Sequence, residues 1–187
     1  MWSTFLWLFR HKDFSKLWLS QISSQVAANM LTFALILHIY DLTKSLTTIS
    51  LVMIASAIPS VILGPFSGVV TDKFRYKNVL IYTLILRFFV VLLLIPAAHN
   101  TLAILEIIFI MSAIGQFFAP AELSTIPLII PKERLVGANS IYMTTMYGAL
   151  IVGYGLAGPL QVILGSKVLF LLIAFLLSGC STDDPVI

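Results

Sequence analysis

Residues 48–70 read TISLVMIASAIPSVILGPFSGVV, and residues 71–77, TDKFRYK, follow without a break. The first string carries no ionisable side chain and is as long as a helix needs to be to cross about 30 Å of hydrocarbon. The second gathers Asp72, Lys73, Arg75 and Lys77 at its end. An apolar block closed by charges describes a transmembrane helix that emerges at a polar surface. On either side the pattern repeats, with spans expected at about 14–40, 78–98, 102–120, 138–164 and 167–180. Residues 1–13 form an N-terminal segment and 181–187 a polar tail. The chain is 59% hydrophobic and 10% charged, against about a quarter charged in a soluble domain. No soluble core of this size could hide that much apolar surface. The reading is an all-α integral membrane protein of about six spans.

Orientation follows from the cations. Arg10, Lys12 and Lys16 precede the first span, Lys73, Arg75 and Lys77 join the second to the third, and Lys132 and Arg134 join the fourth to the fifth. The alternate links hold only Lys44 and Lys167. This asymmetry puts the N-terminus in the cytoplasm of a multi-pass protein of the cell (inner) membrane. Residues 1–13 are too charged and aromatic for a signal peptide; Trp2, Leu6 and Phe9 suit an interfacial helix. A net charge of +3, small and scattered, gives no footprint for nucleic acid. The single cysteine, Cys180, excludes an intrachain disulfide and a cysteine metal site. No span clusters His, Asp or Glu at metal spacing and no activated nucleophile is evident, which argues against an enzyme, a metal or a cofactor.

Polar residues inside spans narrow the function, because a lipid-facing polar group is costly. Gln21, Gln25, Asn29 and Thr32 recur at helical spacing along one stripe of the first span. They are either interhelical hydrogen-bonding groups or one wall of a water-filled path. Ser56, Ser60, Gly64 and Gly68, each four apart, form a small-residue stripe that lets helices approach closely. On the fifth span Gly148, Gly155 and Gly158-Pro159 stand out, and Pro159 should loosen the helix there. Arg87 and Glu106 lie within the third and fourth spans at depths differing by about 8 Å. They are candidates for a buried ion pair or for part of a substrate or proton path. His38 reads as an interfacial residue more readily than as a proton carrier.

Gly68-Val-Val-Thr-Asp72-Lys73-Phe-Arg75-Tyr-Lys77 resembles the signature loop of the major facilitator superfamily, Gly-x-x-x-Asp-Arg/Lys-x-Gly-Arg/Lys-Arg/Lys. It matches at Gly68, Asp72, Lys73 and Lys77, and departs at Arg75, where the family has glycine, and at Tyr76, where it has a cation. The resemblance makes Gly68, Asp72, Lys73, Arg75 and Lys77 a conformational-switch loop. The stretch from Phe118 through Pro120 and Glu122, then Pro131, Glu133, Arg134 and Asn139, looks like the fourth-to-fifth link of the enterobactin-exporter and macrolide-efflux branch. Gly148, Gly155, Gly158 and Pro159 resemble a degenerate fifth-helix antiporter motif.

The resemblance implies a secondary active exporter of a small molecule of the drug or siderophore class, coupled to protons. Members have two six-helix halves around a central site, and residues 1–187 correspond to the N-terminal half. The last apolar run is short of a comfortable crossing, which reads as a sixth helix cut within its length and a chain inactive alone. The expected partners are the bilayer, a small-molecule substrate, and a second copy or a separate C-terminal half. The alternative is a membrane-embedded interaction or assembly subunit without transport activity. Leu177-Ser-Gly-Cys180 matches a lipoprotein cleavage box, but such signals act at an N-terminus and the match is coincidental.

Overall fold

The computed structural model describes residues 7, 8 and 10–182; Trp2, Leu6, Phe9 and the tail from 183 lie outside the described residues. Among the described residues five long helices follow one another: α1 (Lys12–Thr43), α2 (Leu46–Lys73), α3 (Tyr76–Ala97), α4 (Thr101–Ile129) and α5 (Leu135–Thr182), with a 3-10 turn, Lys132–Arg134, before the last. Each of the five is long and apolar enough to cross a membrane.

Local chemistry sets the ends. Lys44 closes α1 in the left-handed region at φ 50°, its amide donating to the Tyr40 carbonyl. Asn100 caps α4 by accepting from the Leu102 and Ala103 amides. Ile130 is extended ahead of Pro131 and ends α4.

Two boundaries correct the sequence expectation. Pro120 and Pro127 do not end the fourth helix, which continues to Ile129; membrane helices tolerate proline because neighbouring groups re-satisfy the freed carbonyls. Pro120 and Glu122 are therefore helical rather than part of a link. Pro159 likewise sits inside continuous helix. The break in α5 falls instead at Gly165, with φ 78° and ψ 159°, a conformation open to glycine and strained for other residues. It divides α5 into segments 135–164 and 166–182.

The helices pack around two ends. At one, His38 of α1 meets the Ala98 carbonyl and the Ser166 hydroxyl. Because a carbonyl only accepts, Nε2 carries the proton and Nδ1 accepts from Ser166. At the other end Leu8, Phe14, Ile126, Ile130, Ile141 and Tyr142 form an apolar cluster, and the Arg134 guanidinium lies 4.0 Å from the Trp7 ring centroid. The main core joins Met30, Leu35 and Ile39 of α1 to Val91 and Leu94 of α3, Ile104 of α4, and Phe170 and Ile173 beyond the break. Where α1 crosses α5, Gly153 meets α1 so closely that a β-carbon there would stand 2.6 Å from Asn29 Cβ and 3.0 Å from the Val26 carbonyl. Helix α2 rests mainly on α4 and buries only Val52, Pro59, Ser67 and Thr71.

Candidate functional site

Between α1, α2, α3 and α4 lies a cavity of about 260 Å³. Its polar lining is Gln25 and Thr32 from α1, Ser56 from α2, Arg87 from α3, and Ser112 and Gln116 from α4; Leu31, Leu35, Val52, Ile108 and Met111 supply the apolar wall. The α2–α4 side is close because small residues face it. Ser112 donates to the Ser56 carbonyl, and a β-carbon on Gly64 would stand 4.0 Å from Gln116 Oε1. Gly64 and Ser56 of the small-residue stripe thus serve packing against α4, whereas Ser60 is exposed.

Arg87 is the charged group of this site and is only 8% exposed. Its Nη1 donates to Ser24 Oγ at 3.3 Å, and the guanidinium carbon sits 4.8 Å from the Phe118 ring centroid. Gly115 gives it room, since a β-carbon there would lie 3.0 Å from Nη2. One turn along α4 from Phe118 stands Glu122, 1% exposed. The Tyr142 hydroxyl donates to Glu122 Oε2 at 2.6 Å, Gln21 Nε2 donates to the Tyr142 carbonyl at 3.2 Å, and Thr145 donates to Gln21 Oε1 at 3.4 Å. Gln21 of α1, Glu122 of α4 and Tyr142 and Thr145 of α5 thereby form one hydrogen-bonded polar cluster.

Of the stripe on α1, Gln25 and Thr32 line the cavity together, being about 20° apart around the helix. Gln21 is turned to α5, and Asn29 abuts Gly153 at the α1–α5 crossing. Arg87 and Glu106 are not partners. Glu106 is exposed in a separate recess beside Leu51, Ile54, Ile58 and Phe109. Nine residues separate it from Gly115, about half a circumference of α4, so it points away from Arg87.

In the loop, Asp72 accepts from the Tyr76 hydroxyl at 3.1 Å, so the residue that departs from the family pattern touches the residue that keeps it. Lys73 and Arg75 are exposed, Lys77 is half-buried, and a β-carbon on Gly68 would meet nothing within 4 Å. Glu133 and Arg134 lie in the 3-10 turn and Asn139 in the first turns of α5. Around Gly148 and Gly155 the space is open, and a β-carbon on Gly158 would stand 3.7 Å from Phe33 Cε1.

Sequence reasoning missed Gly153, Ser24, Tyr142 and the depth of Glu122. For Glu122 a signal existed: Phe118, Glu122 and Thr125 recur at helical spacing and are all buried. The prolines concealed it.

An all-helical bundle with membrane-length apolar helices and a polar-lined cavity between four of them defines a polytopic membrane protein. Residues 17–181 match the family model of the Major Facilitator Superfamily, and the chain belongs to that family. It is 28% identical over 182 residues to the uncharacterized MFS-type transporter YjbB of Bacillus subtilis, covering 91% of this chain and 44% of that protein. It is 27% identical over 179 residues to YkuC of the same organism, covering 92% and 41%. Macrolide efflux protein A of Streptococcus pyogenes is 28% identical over 126 residues, 65% of this chain and 31% of that protein. The chain spans less than half the length of these relatives.

Proposed function

We propose that residues 1–187 form one wall of the substrate path of a proton-coupled secondary exporter that expels a drug- or siderophore-class small molecule across the cell's inner membrane. The N-terminus and the Asp72–Lys77 loop face the cytoplasm, in keeping with the basic residues on those links. The observation that carries the reading is the cavity: six polar side chains from four membrane-length helices line one space, and polar groups within membrane spans mark ligand pathways. Family membership and the similarity to macrolide efflux protein A support the direction of transport. Alternating access rocks one bundle against another around a site between them. The second wall is therefore a C-terminal half or a second copy, and residues 1–187 alone do not transport.

The test is macrolide accumulation in an efflux-deficient host expressing residues 1–187 alone, or joined to the C-terminal half of macrolide efflux protein A. The fusion should show efflux that a protonophore abolishes, and Asp72→Asn should impair it while leaving the amount of protein in the membrane unchanged. Accumulation in the fusion strain equal to that of the empty-vector strain would refute the exporter reading. Energy-dependent efflux by residues 1–187 alone would refute the requirement for a second wall.

A further inference from the structure

We propose that the groove between the first turns of α2 and α4 binds a lipophilic organic cation, an apolar body bearing one positive charge, through Glu106. This substrate class rests on the transport reading above and narrows it. Leu51, Ile54 and Ile58 of α2 and Glu106, Phe109 and Ile110 of α4 line a space of about 520 Å³. Every lining residue other than Glu106 is apolar. Among the described residues Glu106 has no hydrogen-bond or ion-pair partner. A carboxylate left unpaired against apolar walls in a membrane span is costly. A lipophilic cation supplies the missing charge and covers the walls at the same time. Apolar walls also keep the local dielectric low, which strengthens the attraction of a cation and the repulsion of an anion.

The charge sits where an amphiphile needs it. Ser112 meets Ser56 and Gln116 lies beside Gly64, so α2 and α4 run in the same direction. With about 1.5 Å of rise per residue, Glu106 and Leu51 come about 8 Å after the starts of their helices, and Ile58 about 18 Å after. The carboxylate therefore stands toward the rim, which is the outer one in the proposed topology, and the apolar surface continues about 10 Å beyond it. A cationic head at the rim with its body reaching inward matches that gradient. The volume, about 520 Å³, is that of a drug-sized pocket and suits one compact body better than the two chains of a phospholipid. Leu51, Ile54, Ile58, Phe109 and Ile110 are all exposed, so the groove is open along one side and admits part of a larger molecule. A macrolide is such a molecule, an apolar ring carrying a basic amino sugar, and the efflux test above calls for the same chemistry.

The experiment measures binding to residues 1–187 by equilibrium dialysis in dodecyl maltoside, whose micelles carry no charge. Tetraphenylphosphonium is the cationic probe, and tetraphenylborate, of nearly the same shape, the anionic one. Tetraphenylphosphonium should bind saturably, and Glu106→Gln should weaken it by about tenfold, the loss of one partly screened charge pair. The same substitution should leave tetraphenylborate binding unchanged or tighter, an opposite response that a misfolded variant does not give. Ile54→Trp, which fills the groove and keeps the carboxylate, should also weaken the cation. Asp41→Asn, which removes an exposed carboxylate already paired with Lys44, should leave cation binding as it was. No saturable cation binding, equal loss of both probes in Glu106→Gln, cation binding untouched by Ile54→Trp, or a loss in Asp41→Asn as large as in Glu106→Gln would each overturn the proposal. So would displacement of the cation by added phosphatidylethanolamine, which would give the groove to a lipid headgroup. Cation binding that needs Glu106, without efflux in the fusion assay, would sink the exporter reading and leave the groove's ligand standing. Efflux by the fusion with cation binding indifferent to Glu106 would do the reverse.

Discussion

Replacing Gly153 by alanine tests the α1–α5 crossing, and Gly155→Ala, two positions along the same helix, is its control. A β-carbon at 153 would stand 2.6 Å from Asn29 Cβ, 3.0 Å from the Val26 carbonyl oxygen and 3.2 Å from the Met30 amide nitrogen. None of these is the loose end of a flexible side chain; all are fixed to the α1 backbone, so relief requires moving one helix away from the other by about 1 Å. Overpacking of this kind costs about 1–3 kcal/mol, and three simultaneous contacts place it near the upper figure. At 155 the same methyl group meets nothing within 4 Å. Both variants share the gain of about 1 kcal/mol that alanine has over glycine in a helix, so the comparison cancels propensity and leaves packing. The expected difference in unfolding free energy is about 3 kcal/mol, with Gly155→Ala equal to or more stable than the parent. Equilibrium unfolding in mixed micelles, monitored by circular dichroism, measures it. A difference below about 1 kcal/mol would show that the helices are not held at this distance.

Three further outcomes follow from the packing and the charge pattern. His38→Ala should cost about 1–3 kcal/mol in the same unfolding assay, because it strips partners from both the Ala98 carbonyl and Ser166, whereas Lys44→Ala, which breaks an exposed pair with Asp41, should cost less than about 1 kcal/mol. Equal losses would remove His38 from its place as a tie between helices. Tyr142→Phe deletes the 2.6 Å donor to buried Glu122 and should destabilise by about 2 kcal/mol; a neutral result would mean the carboxyl is satisfied without it. On a Cys180→Ser background, a cysteine at Ser45 should react with a membrane-impermeant thiol reagent added to intact cells, and one at Tyr76 only after permeabilisation. The opposite pattern would invert the topology.

Much of this protein was legible in one dimension because the bilayer is a harsh solvent. Backbone groups in hydrocarbon must be satisfied within the segment, so uninterrupted apolar blocks such as 48–70 could only be helices. The loop pattern at Gly68 to Lys77 sufficed to point to the family. Periodicity placed Gln25 and Thr32 on one face because residues seven apart nearly superimpose around a helix.

What the sequence left open was decided by rotation, by neighbours and by distances of an ångström or less. Arg87 and Glu106 differ in depth by about 8 Å, yet only the packing of α4 shows that Glu106 faces another recess and that Glu122 is buried against Tyr142. Pro120 looked like the end of a helix, and whether a proline ends a membrane helix depends on which groups take up the freed carbonyls, which no local string reports. Gly153 carries no motif that distinguishes it from Gly148 or Gly155; it matters because Asn29 and Val26 of a helix more than a hundred residues away lie against it. Membrane insertion is a property of single segments, set by their composition. A binding site belongs to several segments at once, and only the tertiary packing decides which of their faces meet.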